Sequence, residues 1–172
     1  MTTPSNTDQR PVRPVVAIIG GGFTGAACAF HLAGTLPDGL ARIVVFEPRS
    51  MLGGGLAYDT AERAHRINVP AALMSLVPDE GDHFQRWLEG SGVLAADPDA
   101  VTPGGHVFAR RSAFGSYVAA SLAPLVESGA IEHCRDPVRK VAATRAGRWT
   151  IEAGDGGALE ADIVVIATTH PS

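Results

Sequence analysis

An unbroken apolar run, Val15-Val16-Ala17-Ile18-Ile19, stops on Gly20-Gly21-Gly22, and the chain then becomes rich in alanine and other small residues. This junction constrains the fold more than any other stretch. Five apolar residues without polar alternation predict a strand covered on both faces. After the break, Ala26, Ala29, Phe30 and Ala33 share one helical face, so a helix is predicted over 23–33. It should end around Gly34, with a turn at Pro37-Asp38-Gly39. Arg42-Ile43-Val44-Val45-Phe46-Glu47 then reads as a second strand, mostly apolar and β-branched. Strand, helix and strand follow one another closely enough to be a single β-α-β unit.

Within that unit the glycines are spaced Gly20-x-Gly22-x-x-Gly25. Each has a physical task in such a place. Gly20 permits the tight turn, Gly22 lets the backbone come close to a pyrophosphate, and Gly25 lets the helix lie close on the sheet. The first helical turn, at Phe23 and Thr24, leaves free N–H groups that suit phosphate oxygens. Glu47 closes the second strand 22 residues after Gly25. A carboxylate there accepts hydrogen bonds from adenosine ribose hydroxyls and repels a 2′-phosphate. The spacing alone is a weak signal; with both strands and the helix around it, it predicts a dinucleotide site. The competing reading is a glycine turn with no nucleotide function.

Residues 48–81 carry a second glycine cluster, Gly53-Gly54-Gly55, and no sustained period. So long an irregular stretch inside one domain suggests a segment that wraps a ligand. Asp82 is a candidate N-cap for a short helix through Leu88, with Phe84, Trp87 and Leu88 on its apolar side. Residues 90–109 are irregular again. A longer helix is predicted over 112–127, with Pro124 bending it or loosening its last turn. A third parallel strand is expected over 130–134. Short strands at 138–144, 148–153 and 158–161 follow, an antiparallel meander, and a last buried strand at 162–167. The fold class is therefore α/β, a Rossmann-like parallel sheet with a β-meander insertion, over 15–172. Residues 1–14, with three prolines, are expected to be a disordered arm.

Composition narrows the partners. The chain has 172 residues, enough for about one domain. Its 14 Lys and Arg against 18 Asp and Glu give a net charge of −4, and no basic run marks a nucleic-acid surface. A 45% hydrophobic content excludes general disorder. No apolar stretch has the length of a membrane helix, and no secretory leader pattern opens the chain, so a cytoplasmic protein is expected. Two cysteines, Cys28 and Cys134, are too far apart in sequence to read as a metal cluster, and the six histidines show no ligand spacing. No metal site is expected. Ser116 lacks the glycine elbow of a hydrolase nucleophile.

The ordered set of strand, GxGxxG, Glu47-Pro48-Arg49 and the Gly53-Gly54 doublet resembles the FAD/NAD(P)-binding superfamily of flavoproteins. In that family the doublet lies near the FAD pyrophosphate, and a meander before the last parallel strand is usual. The family's strand-end Ala-Thr-Gly stands here as Ala167-Thr168-Thr169-His170, without the glycine. Gly53 to Tyr58, His65-Arg66-Ile67-Asn68-Val69-Pro70, Asp82 to Leu88, and Arg110-Arg111 before Phe114-Gly115-x-Tyr117 are similar to a bacterial group of FAD-NAD(P)-binding proteins. That group includes FAD-dependent urate-hydroxylase-like members, and its chains continue beyond the length seen here. The resemblance implies the N-terminal part of a longer flavoprotein, with the remainder missing.

Further cofactor residues follow from the resemblance, each beside a plainer reading. Arg49 neutralises pyrophosphate charge or caps a surface loop. Asn68, with Val69 beside it, meets the edge of the isoalloxazine ring or ties down its own loop. Of the adjacent Arg110 and Arg111, at most one is expected to face the cofactor, and Arg111 is the candidate; both on the surface is the alternative. Val138 offers its main chain to adenine. Ala167 and Thr168 close the site from the last strand. The function expected is the FAD-binding domain of an NAD(P)H-linked, flavin-dependent oxidoreductase or monooxygenase, with no side chain nominated as catalytic acid or base. A non-catalytic dinucleotide-binding module is the alternative, and plain NAD binding a weaker third.

Overall fold

The computed structural model describes residues 13–154 and 156–169. The expected arm at 1–14 therefore falls almost wholly outside the described residues, as does His170. Four parallel strands form one sheet: β1 (Val15–Ile19), β2 (Arg42–Phe46), β3 (Ile131–Cys134) and β7 (Ile163–Ile166), in the order β3-β2-β1-β7. β4 (Val138–Ala143), β5 (Trp149–Ala153) and β6 (Gly157–Ala161) form the antiparallel meander. Helices α1 (Phe23–Thr35), α2 (Gly55–Tyr58), α3 (His83–Gly90) and α4 (Arg111–Glu127) complete the described elements, with two 3₁₀ turns at Ala71–Leu73 and Pro98–Ala100.

The parallel sheet is sandwiched, as the apolar β1 run requires. Val16, Ile18, Ile43 and Val45 face a core shared with α1, α3 and α4; Ala17, Ile19, Val44 and Phe46 face the meander through Ile151, Ala153 and Ala161. Alternate residues of one strand thus serve two separate cores. The last strand departs from expectation. β7 pairs only with β1 among the described strands, and Ile163 and Ile166 are 52% and 63% exposed. An apolar run reports β-branched pairing propensity as well as burial, and here it marks a sheet edge.

Three local expectations also shift. The wrapping segment after β2 contains α2, a single turn too short for a periodic signal. Asp82 stands at the N-cap of α3, but its side chain makes no capping bond and pairs instead with Arg86, which also meets Glu80. Pro124 lies inside α4, which continues through it to Glu127; the Pro124 carbonyl accepts the Ser128 N–H at 3.0 Å.

Beneath α4, Phe84, Trp87, Phe114 and Tyr117 form an aromatic cluster with ring centroids 5.0–6.3 Å apart. Tyr117 is fully buried; its hydroxyl accepts the Leu76 N–H at 3.0 Å and lies 2.6 Å from His83 Nδ1. Burial pushes its phenol pKa up, which keeps the hydroxyl protonated. Tyr117→Phe removes the hydroxyl from these partners. Denaturant unfolding should show a loss of about 1–3 kcal/mol. A change below about 0.5 kcal/mol would mean that water replaces the hydroxyl at no cost.

Candidate functional site

The two glycine clusters, distant in sequence, meet at the carboxyl end of β1. The Gly53 N–H donates to the Gly21 carbonyl at 2.7 Å, and Gly22 and Gly55 face each other so closely that a Cβ on Gly55 would lie 3.0 Å from Gly22 Cα. Gly20 adopts φ +100°, and a Cβ there would sit 2.6 Å from the Ala167 carbonyl oxygen. Only glycine satisfies both conditions. Gly25 lies in α1 against the turn, where a Cβ would approach the Gly20 carbonyl oxygen to 1.9 Å.

These close approaches leave a cleft of about 590 Å³ between the β1–α1 turn, the end of β2, α2, the start of β4 and the exit from β7. That volume falls within the range of roughly 300–1,000 Å³ typical of small-molecule and cofactor sites. The cleft brings together Gly20, Gly22, Phe23, Thr24, Glu47, Pro48, Arg49, Gly54, Val138, Ala167 and Thr168. Helix α1 opens on it with Gly22 at the N-cap, no side-chain cap and no acidic residue in its first turn. Its first N–H groups therefore lack both intrahelical partners and a competing carboxylate, as an anion at this end would require.

Glu47 is 4% exposed, and its carboxylate is held from two sides. Oε2 accepts the Gly21 N–H at 3.0 Å; Oε1 accepts the Arg49 N–H and Arg49 Nη1, both at 3.1 Å. An ionised carboxylate has about four acceptor sites, so three bonds leave one free. That leaves Oε2 able to receive one hydroxyl while Arg49 stays in place. Arg49 also reaches Asp59 at 3.5 Å, linking the end of β2 to the end of α2.

Other sequence candidates lie apart from the cleft. Gly53 is beneath it, where a Cβ would strike Val118. Asn68 and Val69 are exposed on a segment joined to residues 107–111: Ile67 donates to the Ala109 carbonyl, and Arg66 pairs with Arg110 across an antiparallel bridge. Arg111 begins α4 and gives its Nε–H to the Arg66 carbonyl at 3.2 Å. The cleft does not include these three. Below them Asp97, 4% exposed, takes a two-pronged bond from Arg66 at 3.0 Å and a third from Arg110 at 3.2 Å. The Arg66 guanidinium holds the Asp97 carboxyl below the usual carboxylate range.

Several cleft residues lie outside the set of cofactor candidates. Next to the lining, Gly21 fills the position that the fingerprint leaves open, and a Cβ there would lie 2.6 Å from both Glu47 and Leu52. Leu56, Ala57 and Tyr58 come from α2, and Pro137 and Thr169 from connections whose course depends on tertiary structure. Phe23 and Tyr58 stand edge to face at 6.0 Å on the cleft wall, each packed on Phe114.

Solved structures share this fold. A flavin-containing monooxygenase from Stenotrophomonas maltophilia superposes with a TM-score of 0.57 at 19% identity, over 93% of this chain and 41% of that one. A cyclohexanone monooxygenase in an open form gives 0.62 at 15% identity, over 90% and 26%. A steroid monooxygenase bound to NADP gives 0.60 at 18% identity, over 94% and 28%. At these identities the likeness shows the fold, and the chain spans less than half the length of each. No curated protein sequence matches the chain. The family model for FAD-NAD(P)-binding proteins matches residues 17–171, almost the whole sequence, and the chain belongs to that FAD-NAD(P)-binding family.

Proposed function

We propose that this chain is the FAD-binding domain of a flavin-dependent, NAD(P)H-linked oxidoreductase or monooxygenase, with the adenosine and pyrophosphate of FAD in the cleft. One observation carries the reading: the open N-terminus of α1, the Cβ-free turn and the Glu47 carboxylate converge on one cavity of cofactor size. In this reading the N–H groups of Phe23 and Thr24 hold the pyrophosphate, Gly22 and Gly54 leave room for it, and Gly20 and Gly25 set the turn. Glu47 takes a ribose hydroxyl, Pro48 and the Val138 main chain flank adenine, and Arg49 adds positive charge. Ala167 and Thr168 close the far side. Gly53 supports the second glycine turn, and Asn68, Val69 and Arg111 serve the ring end of the cofactor.

Bound flavin would supply the electron chemistry, accepting a hydride equivalent from NAD(P)H and passing electrons to oxygen or an organic acceptor. The protein residues bind and orient. Among the described residues lining the cleft, the charged side chains are Glu47 and Arg49, and they are bonded to each other. That pairing favours a second reading as well, a dinucleotide module that contributes binding and no proton transfer of its own. Substrate choice and the remaining domains belong to chain outside this sequence. We place the protein in the bacterial cytoplasm, a reading supported by its two free thiols, which suit a reducing compartment. No helix among the described residues is long and apolar enough to cross a membrane.

Titration of the purified chain with FAD, and separately with NAD, tests the assignment through flavin absorbance, flavin fluorescence and calorimetry. FAD should bind saturably. Glu47→Gln should weaken it about tenfold or more, the cost of one hydrogen bond to a charged acceptor. Gly22→Val should remove binding. Saturation by NAD alone would overturn the choice of FAD.

A further inference from the structure

Glu47 is fixed through its main chain as well as its carboxylate. The parallel ladder between β2 and β3 ends with the pair Phe46 and Cys134. One step further, the Glu47 N–H still donates to the Cys134 carbonyl at 2.9 Å. Its own carbonyl lies past the last registered pair and precedes Pro48, where the chain turns away. The His133 imidazole meets it there, with Nε2 2.8 Å from the Glu47 oxygen. A carbonyl oxygen only accepts, so Nε2 must carry the proton. The contact therefore fixes the tautomer of the neutral ring and persists in the imidazolium.

We propose that His133 is a positioning residue for the dinucleotide cleft, fixing the Glu47-Pro48-Arg49 turn through the Glu47 carbonyl. His133 lies outside the cleft lining, so its influence passes through that turn. Behind Glu47 stand Cys134 and His133 on β3; in front stand the Gly21 and Arg49 N–H groups. Losing the rear support lets the turn shift, and the front bonds must loosen with it. A role for the turn in binding FAD rests on the function proposed above; the support of the turn by His133 does not.

The test compares His133→Gln, whose terminal amide N–H can reach the same carbonyl, with His133→Leu, which has no donor. Two readouts are taken on the full chain: amide hydrogen exchange at Gly21 and Arg49, and FAD titration in wild-type and Glu47→Gln backgrounds. His133→Leu should speed exchange at both amides and weaken FAD binding about threefold to tenfold. His133→Gln should stay within about twofold of wild type, and the FAD loss should shrink once Glu47 is already Gln. Nitrogen-15 shifts should report the neutral ring as the Nε2–H tautomer. Unchanged exchange in His133→Leu, or a Gln variant as impaired as the Leu variant, overturns the proposal. If the wild type binds no FAD while exchange still responds, the positioning role stands and the FAD assignment falls.

Discussion

Asp97→Ala is expected to destabilise the domain by about 3 kcal/mol, measured by urea unfolding at neutral pH. Removing one partner of a buried ion pair costs roughly 3–5 kcal/mol, and the lower end applies because Arg66 and Arg110 are 28% and 24% exposed. The carboxylate joins three segments with no regular structure of their own: the turn holding Asp97, the strand-like piece at Arg66 and the entry to α4 at Arg110. Without it, two guanidiniums face each other, with Asp99 still acting on Arg66 from a greater distance than a hydrogen bond. Arg110 Nε already lacks a hydrogen-bond partner among the described residues, so this side has little means of compensation. The pH dependence has a definite sign. Because folding lowers the Asp97 pKa, its contribution is complete above the unfolded carboxylate range and is lost as pH falls through the folded value. Wild type should therefore lose more stability than Asp97→Ala between neutral pH and strong acid. Parallel acid profiles for the two proteins would refute the assignment.

The contrast between this cluster and the cleft shows which parts of the molecule are legible from sequence. Strands β1 and β2 are legible because each is an apolar run buried on both faces, and both lie within the expected bounds. The glycine turn was legible because its geometry excludes side chains at fixed positions in a local motif. The meander was read from turn residues every few positions. What failed to show was the meeting of distant segments. Nothing local says that Asp97 will be buried between Arg66 and Arg110, since all three sit in irregular stretches with ordinary polar composition. Nor does spacing place Gly55 against Gly22, although the two clusters were each conspicuous. Strand β7 shows the converse: its residues are those of an interior strand, yet it stands at the edge of the described sheet with Ile163 and Ile166 exposed.

Gly25→Ala should be among the most damaging single-methyl additions available, while Gly34→Ala in the same helix should stabilise. Helix propensity favours alanine over glycine by about 1 kcal/mol at an interior position. At Gly34, in the last turn of α1, nothing lies within 4 Å of the added carbon, so a part of that gain, about 0.5 kcal/mol, should appear. At Gly25 the same carbon would lie 1.9 Å from the Gly20 carbonyl oxygen and 3.2 Å from Ile18 Cγ2. The oxygen belongs to backbone that cannot retreat, because Gly20 is held at φ +100° against Ala167, with its N–H on the Phe46 carbonyl at 2.9 Å. Helix α1 must therefore lift from the sheet. Overpacking of this kind costs about 1–3 kcal/mol where side chains can yield, and the rigid backbone on both sides puts Gly25→Ala at about 3 kcal/mol or beyond. A lifted α1 also carries its open N-terminus away from the cleft, so any protein that still folds should lose FAD binding by far more than its stability loss suggests. Thermal unfolding of the two variants side by side separates the effects, since propensity alone would move both upward. Equal stabilisation of the two would mean that α1 and the β1 turn are not in the contact described, and the geometry of the cleft would have to be redrawn.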